Sequence, residues 1–413
     1  MRKLLLPLAL LCALTMQAHK WAADEVKDVI RRVNTYWQTN NPAEVRAFWD
    51  NAAYHTGNIE VYKLFSEEGA ASSEEGEQML QYSIRWAEHN QWQGATEADP
   101  AKWKYKSYGE GQDYVLFGDW QICFQTYIDL YNIEERGANS LRGEWEEGSG
   151  KRIDSPQNHS PASHLSPLTS KKIARALEVM GYEADSRVRD YWWWADALYM
   201  VMPVMTKMYK LTGDTKYLRK LYENILYSDS IMLDPETGLY FRDGKYIYPK
   251  HTTANGKKDF WARGDGWVLA GLAKVLQDMP ETYVRQPFFV EKYVRLARAV
   301  KQLQQPEGHW TRSMADPRQA PGYETSGTAF FCYGMLWGVN HGYLQKKEFA
   351  TTIEKAWKYL STIALQKDGR VGYVQPIGER AIPGQTVDAN SQANFGVGAF
   401  LLAACEYYRY LSQ

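Results

Sequence analysis

Apolar residues recur at three- and four-residue spacing along most of the chain, and that period predicts helices. In 24–38, Val26, Val29, Ile30, Val33 and Trp37 share one face. A similar pattern covers 73–92, with Ser73 as N-cap, Glu74 and Glu75 in the first turn and Gly76 as a weak point. The series continues through 120–134, 170–180 stopping at Gly181, 193–211 stopping at Gly213, 217–229, 267–277, 283–304, 329–340, 347–363 and 397–411. Strand-like alternation is confined to short pieces such as Leu239-Tyr240-Phe241 and Val371-Gly372-Tyr373. The fold class is all-α.

The helices are of two kinds. Stretch 347–363 carries Lys and Glu among its polar positions, whereas 197–205 and 329–339 are apolar nearly all round. A helix without a polar face must be covered by protein on every side. Alternation of covered and half-exposed helices fits two concentric rings, a toroid of helical hairpins. Glycine-containing segments, often with Trp, precede several covered helices: Phe117-Gly118-Asp119-Trp120, 261–267 and Thr325-Ser326-Gly327-Thr328. As loops of such a toroid they would gather at one mouth. Segment 137–167, rich in Gly, Ser, Asn and His, is the least regular and reads as a long rim loop. No Pro- or Ser-rich linker divides the chain, so residues 19–413 read as one domain.

Composition narrows the function. Lys and Arg number 48 against 49 Asp and Glu, a net charge of −1, which leaves no basic footprint for nucleic acid or anionic lipid. Residues 1–18 have a basic start, a short apolar run and a small residue at a plausible cleavage point, the pattern of a leader. The run is too short to span a membrane, and export, to the periplasm, is the expectation. Cys123, Cys332 and Cys405 sit apart in apolar runs and read as buried thiols rather than a disulfide framework. The eight His show no metal-binding spacing, and no phosphate-cradling or nucleophile-elbow motif is present, so neither a metal nor an organic cofactor is expected. Aromatic residues reach 14% of the chain, suited both to thick helix packing and to stacking on sugar rings.

Three places combine charge with aromatic surroundings. Residues 191–206 hold one charge, Asp196, among three Trp and several Met. Burial there raises a carboxyl pKa and yields an acid able to donate a proton near neutrality. The plainer alternative makes Asp196 the N-cap of a helix beginning at Ala197. Asp119 is likewise the only charge in 114–128, and two acids flanking a bond suit a glycosidase. In 261–267, Arg263 lies between Trp261 and Trp267, an arrangement suited to gripping an acidic sugar; pairing with Asp265 is the structural alternative.

Five ordered strings carry a resemblance: Trp193-Trp194-Ala195-Asp196-Ala197-Leu198-Tyr199-Met200, Tyr240-Phe241-Arg242-Asp243, Phe260-Trp261-Ala262-Arg263-Gly264-Asp265-Gly266-Trp267-Val268, Glu324-Thr325-Ser326-Gly327-Thr328-Ala329 and Gly396-Val397-Gly398-Ala399-Phe400. Together they resemble glycoside hydrolase family 105, the unsaturated rhamnogalacturonyl and glucuronyl hydrolases. The resemblance implies an (α/α)6 barrel, a monomer or homodimer, acting on acidic oligosaccharides that polysaccharide lyases leave with a 4,5-unsaturated uronate end. It implies Asp196 as catalytic acid/base, Asp119 as a second acid near the double bond, and Arg263, Trp261, Trp267, Arg242, Trp194 and Trp120 as substrate-binding residues. This chain departs from the family pattern at three points. Asp265 stands where Asn is usual, Arg242 where some members have His, and Trp120 where a second acid is common. An inverting glycosidase on saturated oligosaccharides and a non-catalytic carbohydrate-binding protein remain as alternatives.

Overall fold

In the computed structural model the described residues are 20–66, 74–147 and 170–413, with the backbone alone for 136–147. The leader, Ser73 and most of the expected rim loop lie outside them. In chain order the helices are α1 (Ala23–Asn40), α2 (Trp49–Ser66), α3 (Glu74–His89), α4 (Gly118–Gln121), α5 (Cys123–Glu147), α6 (Lys171–Asp185), α7 (Ala195–Met200), α8 (Met202–Thr212), α9 (Lys216–Met232), α10 (Ala262–Asp278), α11 (Gln286–Lys301), α12 (Thr325–Asn340), α13 (Lys346–Tyr359) and α14 (Asn394–Ser412). Among the described residues strand pairing is limited to isolated bridges, and no helix is long and apolar enough to cross a membrane.

Helices α2, α4–α5, α7–α8, α10, α12 and α14 form the inner ring, each packed on the next and α14 closing back onto α2. Helices α1, α3, α6, α9, α11 and α13 stand outside, each paired with an inner neighbour. This is the (α/α)6 barrel. The difference in amphipathicity produces it: α13 buries one face only, with Phe349, Ile353 and Trp357 inward, whereas α12 is buried along almost its whole length.

Helix α2 escaped the sequence reading because it has no apolar stripe. It is inner and buried on all sides, yet contains His55, Thr56, Asn58 and Glu60. Its polar groups are satisfied by partners far along the chain. Asn58 bonds Asn34, the Met79 carbonyl and Ser83, His55 meets Ser83, and Thr56 meets the Tyr199 hydroxyl. At the α2–α14 seam, Gly57 and Gly398 let the two backbones touch. A Cβ on Gly398 would lie 2.3 Å from the Ala53 carbonyl oxygen. Gly398→Ala is therefore expected to destabilise by about 1–3 kcal/mol through overpacking, read as a lower urea midpoint.

Other expectations need correction. Helix α6 runs through Gly181 to Asp185, because a single glycine weakens a helix without ending it when the outer face packs well. The segments read as mouth loops at Gly118, Gly264 and Gly327 lie within the first turns of α4, α10 and α12. Gly327 sits there because its Cβ would come 2.8 Å from the Ala262 carbonyl carbon. The helix α5 continues to Glu147, into the stretch expected to be loop.

Candidate active site

Inner helices leave their first amide groups without intrahelical partners. A repeated device satisfies three of them and thereby builds the mouth. The amide of Ala195, first in α7, donates to the Arg242 carbonyl at 2.8 Å; that of Ala262, first in α10, donates to Arg312 at 2.9 Å; that of Thr325, first in α12, donates to Tyr373 at 2.9 Å. Each inner helix is thus stitched to the loop leading into a neighbouring hairpin. The second residues of these helices, Asp196, Arg263 and Ser326, occupy equivalent positions on one rim. Asp119 is second in α4, in the same register. Asp196 is therefore not an N-cap; Trp194 holds that position, with no side-chain capping bond.

Asp196 and Asp119 are both buried and close enough to influence each other electrostatically. Burial raises the Asp196 pKa, against the opposing charges of Arg242 and Arg263. Burial, followed by the charge of Asp196, lifts Asp119 well above the carboxylate range, with Arg242 opposing. Both carboxyls are thus biased toward the protonated form, and the two titrate as a coupled pair. The Asp196 Oδ2 accepts no hydrogen bond although it is buried, and the Arg242 Nε facing it at 3.5 Å is also unbonded. Arg242 is held from the other side by Asp243 at 2.6 Å and approached by Glu379 at 3.6 Å. Burial disfavours the Arg242 charge, but Asp196, Asp243 and Glu379 together raise its pKa.

Arg263 plays a different part from the one expected. It is 1% exposed, and its Nη1 and Nη2 donate to the carbonyls of Gln375 at 2.7 Å and Pro376 at 2.9 Å. Its guanidinium lies between the rings of Trp261 and Phe395, at 4.5 and 4.8 Å from their centroids, and burial pushes its pKa down to about 10. Trp261 in turn donates from Nε1 to the Gln375 side chain at 2.8 Å. Arg263 and Trp261 therefore clamp the loop that carries Glu379. The guanidinium left beside the acids is that of Arg242.

Asp265 does not pair with Arg263. It is fully buried on the far side of the turn, where Oδ1 accepts the Tyr240 amide at 2.8 Å and Oδ2 has no partner. Burial raises its pKa well above normal and favours the protonated form, a near-isostere of the Asn that the family resemblance leads one to expect there. The folded protein then binds a proton that the unfolded chain has released, and stability falls as pH rises above the unfolded carboxylate value of about 4. Asp265→Asn is expected to raise the melting temperature at neutral pH and to flatten its decline with pH; an unchanged slope would contradict the buried neutral acid.

Of the expected aromatic contacts, Trp194 stacks on Phe117 at 4.5 Å and is 1% exposed, so it backs the site and offers no free face to a sugar. Trp267 is not at the mouth: it is enclosed by Trp49, Tyr199 and Phe330 in the barrel core. Trp120 likewise packs edge-on against Phe48, 3% exposed. Half-exposed Trp193, in contact with both Trp194 and Phe117, and exposed Tyr108 over Phe117 supply the accessible rings. Trp193 lies in the same string as Trp194 and Asp196, and nothing local distinguishes it from its two buried neighbours. Tyr108 and Glu379 carry no motif.

The sequence matches the profile of Glycosyl Hydrolase Family 88 over residues 21–411. The chain belongs to this family. A solved structure described as a polysaccharide lyase is 57% identical, with a TM-score of 0.82 and coverage of 95% of this chain and 98% of that one. A family 88 glycosyl hydrolase from Bacteroides vulgatus is 50% identical, with a TM-score of 0.82 over 94% and 100% of the two chains. An unsaturated 3S-rhamnoglycuronyl hydrolase of Formosa agariphila is 38% identical over 220 residues, 52% of this chain. The match spans only 57% of that relative's length. Structures described as family 105 members share the fold at 19% identity, in keeping with the resemblance carried by the five motifs.

Proposed function

We propose that this glycoside hydrolase removes a 4,5-unsaturated uronic acid from the non-reducing end of lyase-generated oligosaccharides. Asp196 donates its proton to C4, and water adds its oxygen to C5 and passes a proton back to the Asp196–Asp119 pair. The resulting hemiketal at C5 opens to a ketone, and C1 releases the next sugar. One observation carries the reading: a buried Asp196 oxygen and the Arg242 Nε that faces it at 3.5 Å, both without a hydrogen bond among the described residues. A neutral acid is what protonation of an enol ether requires, and low dielectric supplies it. Arg242 faces the uronate carboxylate, and Trp193 stacks on the sugar. The Formosa relative, an unsaturated 3S-rhamnoglycuronyl hydrolase, supports an unsaturated uronate end linked to rhamnose as the substrate. Export through the leader at 1–18 belongs to the same proposal and is checked by cell fractionation.

Incubation with lyase digests, followed by the ultraviolet absorbance of the conjugated double bond, tests the activity. Absorbance should fall. A rise on intact polysaccharide would instead show elimination, the chemistry in the description of the 57%-identical structure.

The pH profile offers a second check. Activity should decline as pH rises through the elevated pKa of Asp196, which then loses the proton it must donate. Arg242 lowers that pKa, so Arg242→Gln should move the alkaline limb to higher pH while raising KM for the anionic substrate. A limb displaced to lower pH would contradict the assignment.

A further inference from the structure

Away from the mouth, a cavity of about 580 Å³ opens between α9 and the connection from α10 to α11. Its walls are Tyr222, Tyr227 and Tyr283, with Arg189, Arg219 and Arg285 among them. Helix α10 runs 17 residues, about 25 Å, from the mouth end near Arg263 to Asp278, so the α10–α11 wall lies at the opposite end of the barrel. Arg189 reaches the cavity from the segment between α6 and α7, along the outer face of α9. The size is that of a small-molecule site, typically about 300–1,000 Å³.

The charge here is out of balance, on a chain that is close to neutral as a whole. Arg189 shares Glu223 at 3.7 Å, and Glu223 is also approached by Lys220 at 3.8 Å. Arg219 and Arg285 are exposed and have no carboxylate partner among the described residues. The nearby Asp190 is engaged by the Tyr105 hydroxyl at 2.8 Å. Arg285 lies over the Tyr222 ring at 4.7 Å from its centroid, which presents its planar fork outward from a fixed platform. The rings of Tyr227 and Tyr283 are half-exposed, and the Tyr283 hydroxyl is anchored on the Leu218 carbonyl at 3.1 Å. Rigid tyrosine faces next to unpaired guanidinium forks match a sugar chain bearing carboxylate or sulfate groups, with ring stacking and bidentate anion capture side by side.

We propose that this cavity is a second carbohydrate site, binding internal residues of an anionic polysaccharide and holding the enzyme on the polymer from which its substrate is cut. The inference stands apart from the reaction at the mouth, since saturated internal residues carry no alkene.

Affinity electrophoresis of the full chain through gels containing polygalacturonate, heparin or neutral dextran tests it. Retardation is expected by at least one of the two polyanions, which separates carboxylate from sulfate recognition, and not by dextran. Arg219→Glu with Arg285→Glu should weaken that retardation about tenfold, as loss of two charge-assisted contacts implies. Arg32→Glu with Arg318→Glu, the same charge change at exposed positions elsewhere, should leave most of it. Tyr227→Ala, which alters no charge, should also weaken binding. Neither cavity variant should change kcat/KM on an unsaturated disaccharide. The proposal is overturned by absence of retardation, by equal losses in the two double variants, or by sedimentation showing that the cavity variants dissociate a dimer.

Discussion

Asp196→Asn is expected to lower kcat by about 10²–10⁴-fold, the usual worth of a positioned proton donor, with the fold unchanged. Asparagine keeps the shape of the side chain but has no proton to give. The substitution also removes a buried acid whose pKa is raised by its surroundings, so the folded state is relieved of a desolvated group while losing its attraction to Arg242. These effects oppose, and the melting temperature should move little. Circular dichroism and a thermal scan establish the fold, and loss of double-bond absorbance measures turnover. A variant that turns over at the parental rate would remove Asp196 from the chemistry. Asp119→Asn separates the partners: because the two carboxyls interact, removing one charge should alter the pH profile as well as the rate.

Arg263→Met should produce the largest loss of stability, about 3 kcal/mol or more, together with a fall in kcat/KM. The methionine fills the volume but leaves the Gln375 and Pro376 carbonyls without the charged donors that now satisfy them. Hydrogen bonds from charged groups contribute about 1.5–3 kcal/mol each, and orphaned buried acceptors add a desolvation cost. Activity follows because the loop so released carries Glu379, which borders Arg242. Arg263→Lys should fall between the two, since one ammonium cannot span two carbonyls as a planar fork does. Urea denaturation with steady-state kinetics reads both effects. Full stability in the methionine variant would show that the clamp does not hold the loop.

Much of the architecture was legible because it is written at short range. The stripe Val26, Val29, Ile30, Val33 and Trp37 marks α1 as a helix with one covered face, and the all-round apolar run around 329–339 marks α12 as fully enclosed. The lone charge at Asp196 among indoles was a local signal too, and its raised pKa follows from burial as expected. Helix α2 was missed because its buried amides and imidazole take partners about 20–140 residues away, which no local period encodes. For Trp267 and Trp120, motif membership suggested the mouth, whereas each lies in the core, since a Trp pointing inward from an inner helix cannot also line the rim.

The sequence by itself determined that the chain is a succession of covered and half-covered helices and that two acids are stripped of water. It also determined that an arginine sits within an aromatic segment of 261–267. Only the tertiary structure decided which group each buried charge meets. It turned Arg263 toward backbone carbonyls, set Asp265 behind a turn with its pKa raised by burial, and brought the Arg242 Nε within 3.5 Å of Asp196. The physical reason is one of range. Helical period and burial follow from neighbours three or four residues away, whereas the partner of a buried ion is supplied by whatever loop the closed barrel brings to it, tens to more than a hundred residues distant.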